Sequence, residues 1–220
     1  MPRRLRVLYD ISPPITPQLS VWPGDTPMSR EILLDTARGD TLTLSTLRST
    51  AHLGAHADGP NHYGPMPDGS PAPAIDQRSL EHYLGPCLVT TAHVGRGTRV
   101  SAGDLSIDIT HDALPARVLI RTATYPDPAH FNQDFAALDP ALIDALHERG
   151  VITIGIDTPS VDLFDSKDLP AHKAFLRNDM AILEGLVLNH VPEGEYELIA
   201  LPLRLVGFDA SPVRAVLRSL

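Results

Sequence analysis

Between Asp139 and Ile156 the chain prescribes its own architecture. Pro140 to Arg149 reads as a helix with both ends marked: Asp139 can cap the first turn, Pro140 suits its opening position, and Gly150 stands where a left-handed residue is wanted. Val151, Ile152, Thr153, Ile154, Gly155 and Ile156 follow at once as a continuous apolar run, which reads as a central strand buried on both faces. A helix that feeds straight into such a strand belongs to an α/β layering. Six more segments read as strands: Arg6 to Ser12, Arg30 to Asp35, Thr41 to Leu47, Cys87 to His93, Arg117 to Arg121 and Glu197 to Leu201. In Thr41 to Ser45 polar and apolar residues alternate, which predicts one buried face, and Gly39 with Asp40 predicts a hairpin turn from Arg30. Shorter helices are expected at Gln77 to Leu84 and Ala171 to Arg177.

No repeat, charge run or linker divides the sequence, so its 220 residues are expected to form one domain over 1–220. With 43% hydrophobic and 20% charged residues, the composition excludes disordered, collagenous and coiled-coil chains. The net charge of −9 makes a phosphate backbone a poor partner, and nucleic acid is not expected. Arg3, Arg4 and Arg6 precede only Val7, Leu8 and Tyr9 before Asp10 intervenes, too short a run for a secretory leader, and nothing approaches a bilayer span. A cytoplasmic protein without membrane partners is the expectation. The one cysteine, Cys87, lies beside Leu88 and Val89 and reads as a small buried residue rather than a nucleophile. The 21 prolines stiffen many loops, and those most able to display chemistry are Pro13 to Pro27, Gly59 to Pro73 and Asp157 to Pro170.

Chemistry concentrates in one window. His52, His56, Asp58 and His62 fall within eleven residues, all at even positions, with small or apolar residues at 53, 55 and 57. An extended chain would place them on one side, yet His52 and His56 would then stand about 13 Å apart along the backbone. A helix would bring those two together and swing Asp58 and His62 away. Gathering all four takes a bend, and Gly54, Gly59 and Pro60 supply one. Imidazoles and a carboxylate without thiolate suit zinc or a similar divalent ion. Further donors are available at His172 and Glu184; within Met180 to Leu188, Glu184 either meets a cation or hydrogen-bond donor in an apolar setting or faces water. The remaining histidines, His82, His93, His111, His130, His147 and His190, read as surface or packing residues. Gly-x-Ser-x-Gly is absent, and Gly95, Arg96, Gly97 lacks what a phosphate loop needs.

The segment His52, Leu53, Gly54, Ala55, His56, Ala57, Asp58, Gly59, Pro60, Asn61, His62 resembles the His-x-Gly-x-His-x-Asp-x-Pro-x-His signature of the metal-dependent cyclase-like hydrolases. Asp10, Ile11, Ser12, the Trp22 to Asp25 segment and the His172 to Glu184 region extend the likeness over nearly the whole chain. Ala55 and Tyr63 depart from the Thr and Phe that many members carry, and neither is a ligand position. The resemblance implies a cyclase-like α/β fold of the swivelling β/β/α type, a mixed sheet core flanked by helices, and a homodimer. It implies two zinc ions per subunit, with manganese or another divalent ion as alternatives: His52, His56 and Asp58 would hold one, and Asp58, His172 and Glu184 the other. By the same likeness His62 would be the general acid and base. Trp22 would stack on an aromatic substrate, although from its Pro- and Gly-bounded loop alone a hydrophobic plug is the commoner reading. The implied reaction is hydrolysis of N-formyl-L-kynurenine to L-kynurenine and formate in tryptophan breakdown. The rivals are another cyclic or acyl amide such as isatin, and a metal site kept for stability alone.

Overall fold

The computed structural model describes residues 6–111 and 113–220. Met1 to Leu5, with the Arg3 and Arg4 of the leader argument, and Asp112 lie outside the described residues. In chain order the strands and helices are β1 (Leu8–Asp10), β2 (Ser29–Leu34), β3 (Leu44–Arg48), β4 (His56–Asp58), β5 (Leu84–Thr91), β6 (Arg99–Val100), β7 (Arg117–Arg121), β8 (Ala137–Leu138), α1 (Pro140–Glu148), β9 (Thr153–Ile156), α2 (Pro170–Arg177), β10 (Ala181–Glu184), β11 (Gly194–Ile199), β12 (Ala210–Pro212) and β13 (Val216–Ser219). Among the described residues, nine strands form one sheet in the order β1, β13, β11, β5, β7, β9, β10, β4, β12. β5, β7, β9 and β10 run parallel and the strands outside them pair antiparallel, which makes the sheet mixed.

Side-chain alternation sorts the core onto two faces. Val118, Ile120, Ile154, Ile156 and Ile182 pack beneath α1 and α2 with Leu142, Ile143, Leu146, Ala174 and Phe175. Leu119, Ala181 and Leu183 turn the other way, towards Cys87, Ile11, Leu198 and Leu217. Every residue of β9 is buried, as the apolar run requires, and Asp139 caps α1 by accepting from the Ala141 N–H. Cys87 is buried.

Two expectations are corrected. Among the described residues β2 and β3 pair only with each other, and all eleven of their residues are exposed, so Thr41 to Leu47 has no buried face: the hairpin stands off the main sheet. Gln77 to Leu84 is not a helix. Arg78 and Ser79 are extended, which splits the segment into 3-10 turns at Ile75–Gln77 and Leu80–His82, and β5 already begins at Leu84. The apolar stretch around Glu184 is a strand, and the His56 to Asp58 segment is one too.

Candidate metal centre

β10 and β4 pair antiparallel with Glu184 opposite His56 and Leu183 opposite Ala57. Because alternate residues share a face, His56, Asp58 and Glu184 point to the side on which Ile182 meets α2, and Ala57 with Leu183 points to the other. The even-position pattern thus holds for His56 and Asp58 within a short strand. His52 enters from the preceding turn, and His62 ends a 3-10 turn over Pro60–His62. The turn is locked by two glycines: Gly54 has φ +59° and Gly185 has φ +66°, and a Cβ on Gly185 would stand 2.2 Å from the Gly54 carbonyl oxygen. Gly59 has ordinary extended backbone and serves by its small size instead.

The fourth imidazole comes from α2. No side chain within that helix caps it; the buried Asp162 accepts instead from the backbone N–H groups of Ala171 and His172, each at 3.1 Å. The same carboxylate takes Nδ1 of His172 at 2.9 Å and Arg99 at 3.0 Å, which turns Nε2 of His172 inward. That nitrogen lies 3.6 Å from Oδ2 of Asp58 and 3.7 Å from Oε1 of Glu184. His56 repeats the arrangement, with Nδ1 2.8 Å from the Gly54 carbonyl and Nε2 3.2 Å from Oε2 of Glu184. His52 presents Nδ1 to Oδ1 of Asp58 at 3.1 Å and Nε2 to Asp209 at 3.1 Å. Each of the three rings has an outer partner that fixes it and an inner nitrogen aimed at the carboxylates, the arrangement that orients metal-ligating histidines.

All five residues expected to be ligands therefore meet, and His62 stands at the rim, where Asp58, His62 and His172 offer atoms within 4.8 Å of one another. The water-facing alternative for Glu184 is overturned, since it is buried and accepts from the Val161 N–H at 2.7 Å. The donor set fits a divalent cation. His56 Nε2 and both oxygens of Asp58 are buried without an aligned hydrogen-bond partner, a deficit of about 1–3 kcal/mol per group that a bound ion removes. Protons otherwise fill the role. Burial opposes protonation of His172, but Asp162, Asp58 and Glu184 outweigh it and bring the ring up to about 10. Burial likewise opposes His52, and Asp58 with Asp209 brings it up to about 9. Asp58 is disfavoured as an anion by burial, yet the facing imidazoles of His172 and His52 hold its carboxyl well below the usual range. Burial pushes His62 down.

A cavity of about 550 Å³ opens over the cluster. Trp22 lines it and also packs edge-on against Phe131, with ring centroids 5.5 Å apart, and tilted against Phe164 at 5.1 Å. Trp22 thus packs as a plug and lines the cavity at once. Tyr125, Phe131, Asp157, Asp162 and Asp209 were not singled out from sequence. Asp165 and Asp168 stand nearer to Pro170 than Asp162 does, so local sequence did not single out Asp162, and Asp209 carried no signal either.

Fold and donor set together define a class: a mixed-sheet α/β protein with a buried cluster of nitrogen and oxygen donors, a candidate cation site, beneath an aromatic-lined pocket. The sequence profile of the Cyclase family, described as "Putative cyclase", matches residues 9–163. The kynurenine formamidase of Bordetella petrii is 44% identical over 220 residues, spanning 98% of this chain and 100% of that protein. The chain belongs to the Cyclase family. Among solved structures, one described as a "predicted metal-dependent hydrolase" from Bacillus stearothermophilus is 26% identical with a TM-score of 0.77, covering 98% of this chain and 100% of that one. Isatin hydrolase A from Ralstonia solanacearum is 20% identical with a TM-score of 0.79, covering 98% and 92%, a likeness of fold.

Proposed function

We propose that this chain hydrolyses N-formyl-L-kynurenine to L-kynurenine and formate, the arylformamidase reaction of tryptophan degradation. The observation that carries the reading is the full-length 44% identity to a kynurenine formamidase, joined to a buried donor set at the floor of an aromatic-walled pocket. In this reading His52, His56 and Asp58 hold one zinc ion, and Asp58, His172 and Glu184 hold a second. When bound, such ions bring the pKa of water from about 15.7 towards 7, so no serine or cysteine nucleophile is required.

The chain's own groups do the rest. Trp22 and Phe131 take the aryl ring and exclude water around it. With Nδ1 facing Asp209, His62 has Nε2 free to accept the proton of the attacking water. The hydroxyl adds to the formyl carbon, the C–N bond breaks, and Nε2 returns its proton to the departing aryl nitrogen. The depressed basicity of His62 keeps the ring neutral and ready to accept at pH 7.

The same reading has the chain working as one domain over 1–220, in the cytoplasm and as a homodimer. The lone buried thiol of Cys87 accords with a reducing compartment. The exposed Ile32, Leu34, Leu44 and Leu47 on the β2–β3 hairpin accord with a surface that a second copy covers. The test is a substrate comparison with purified protein, before and after metal stripping. Formylkynurenine hydrolysis that disappears on stripping and returns with zinc is expected; rapid isatin opening with inert formylkynurenine would overturn the choice.

A further inference from the structure

Asp209 is pinned to the metal-binding strand by its backbone. It immediately precedes β12, whose Ala210 pairs with Asp58, and its carbonyl accepts from the Gly59 N–H at 2.7 Å. Its side chain, half-exposed at the cavity rim, reaches back over the turn. One oxygen, Oδ2, lies 3.1 Å from Nε2 of His52 and 3.5 Å from Nδ1 of His62. The two rings themselves are close, with centroids 4.2 Å apart. From the other side of His52, Nδ1 faces Asp58 at 3.1 Å, so Asp58, His52, Asp209 and His62 form a relay of contacts from the buried floor to the mouth.

An ionised carboxylate only accepts, so each nitrogen it faces is favoured with its hydrogen on. A neutral imidazole carries one hydrogen, and placing it on the outer nitrogen leaves the inner one with its lone pair. We propose that Asp209 is a positioning residue of the hydrolytic site, whose single oxygen holds the His52 ring from outside and sets the tautomer of His62, with Nδ1–H towards Asp209 and the lone pair on Nε2 for proton transfer. Without Asp209, His52 loses its outer support, and His62 loses the contact that chooses between its nitrogens and is free to rotate out of the rim. The inference rests on the roles given above to His52 and His62.

The experiment compares Asp209→Ala and Asp209→Asn with wild type, all loaded with zinc, and adds His62→Ala and the double variant Asp209→Ala with His62→Ala. Histidine side-chain ¹⁵N spectra report tautomers without any turnover. The expected spectra show His62 in the Nδ1–H form in wild type and redistributed towards Nε2–H in Asp209→Ala. For formylkynurenine, kcat is expected to fall about 10- to 100-fold in Asp209→Ala, with KM within about twofold and zinc content unchanged. In the His62→Ala background, removing Asp209 is expected to cost little more. The proposal is overturned by unchanged His62 tautomers, by full additivity of the two substitutions, or by loss of one zinc equivalent, which would make Asp209 a ligand. Should Asp209→Ala fail to fold, Asp209→Asn, which keeps the shape and reverses one acceptor, decides by the same readouts. Should formylkynurenine prove inert, the spectra still decide the role of Asp209, so the two failures are separable.

Discussion

Asp162→Asn is the substitution whose cost follows most directly from the geometry. Four donors converge on this buried carboxylate: Ala171 N–H and Arg99 at Oδ1, and the backbone N–H and Nδ1 of His172 at Oδ2. An amide offers one oxygen and one NH2, so two of the four donors must face a donor. The cheaper orientation keeps the oxygen for His172 and sets the NH2 against Ala171 and Arg99, because the Arg99 side chain is 25% exposed and can turn to water. The buried Ala171 N–H is then left unsatisfied, at about 1–3 kcal/mol. For a chain of this length that corresponds to a fall of about 2–12 °C in Tm. The lost negative charge behind His172 is expected to weaken zinc binding about 10-fold, the low end for such supporting residues, since Nδ1 keeps an acceptor. Thermal denaturation of the metal-free protein and chelator competition of the zinc-loaded protein measure the two effects. A Tm within about 1 °C of wild type together with unchanged zinc affinity would refute the reasoning that Asp162 both caps α2 and supports His172.

Three further outcomes follow. His62→Ala is expected to retain its zinc, as measured by metal analysis, and to lose about 10²- to 10⁴-fold in kcat; loss of metal instead would place His62 among the ligands. Gly185→Ala puts a Cβ 2.2 Å from the Gly54 carbonyl oxygen at φ +66°, so urea denaturation is expected to show a loss of at least about 1–3 kcal/mol from backbone strain alone. Wild-type stability in that variant would mean that the histidine turn and β10 are not held together there. His52 and His172 titrate at about 9 and about 10 in the metal-free fold, both raised from the ordinary 6.5. The stability they contribute is therefore complete below about 6.5 and disappears as pH rises through 9 to 10. Metal-stripped protein is expected to lose Tm across that window and zinc-loaded protein to be far less sensitive; a flat profile for the stripped form would contradict the balance of charges described.

The parts of the fold written in local pattern were legible. Asp139, Pro140 and Gly150 bracket α1, and the apolar run behind them is the buried β9. Arg117–Arg121 coincides with a predicted strand for the same reason. Patterns that depend on distant partners were not. Thr41 to Ser45 alternates as a half-buried strand does, yet nothing among the described residues covers the hairpin, and alternation reports the pleat rather than its occupant. Gln77 to Leu84 had helical spacing, but Arg78 is extended and its side chain reaches Asp179, a distant partner that no local pattern names. At the metal centre, clustering in sequence revealed His52, His56, Asp58 and His62. The register of Glu184 opposite His56 was visible only once β10 was recognised as a strand. Asp209 lies 157 residues from His52 and arrives through the pairing of β12 with β4, a contact that no local spacing announces.

The proposed hydrolysis depends on cations held between Asp58 and its neighbours. Anomalous diffraction at the zinc edge from zinc-loaded crystals addresses this without any assumption about substrate. Two peaks are expected, one among His52, His56 and Asp58 and one among Asp58, His172 and Glu184. Full zinc loading with no peak at Asp58, or with these imidazoles turned away from the ions, would contradict it.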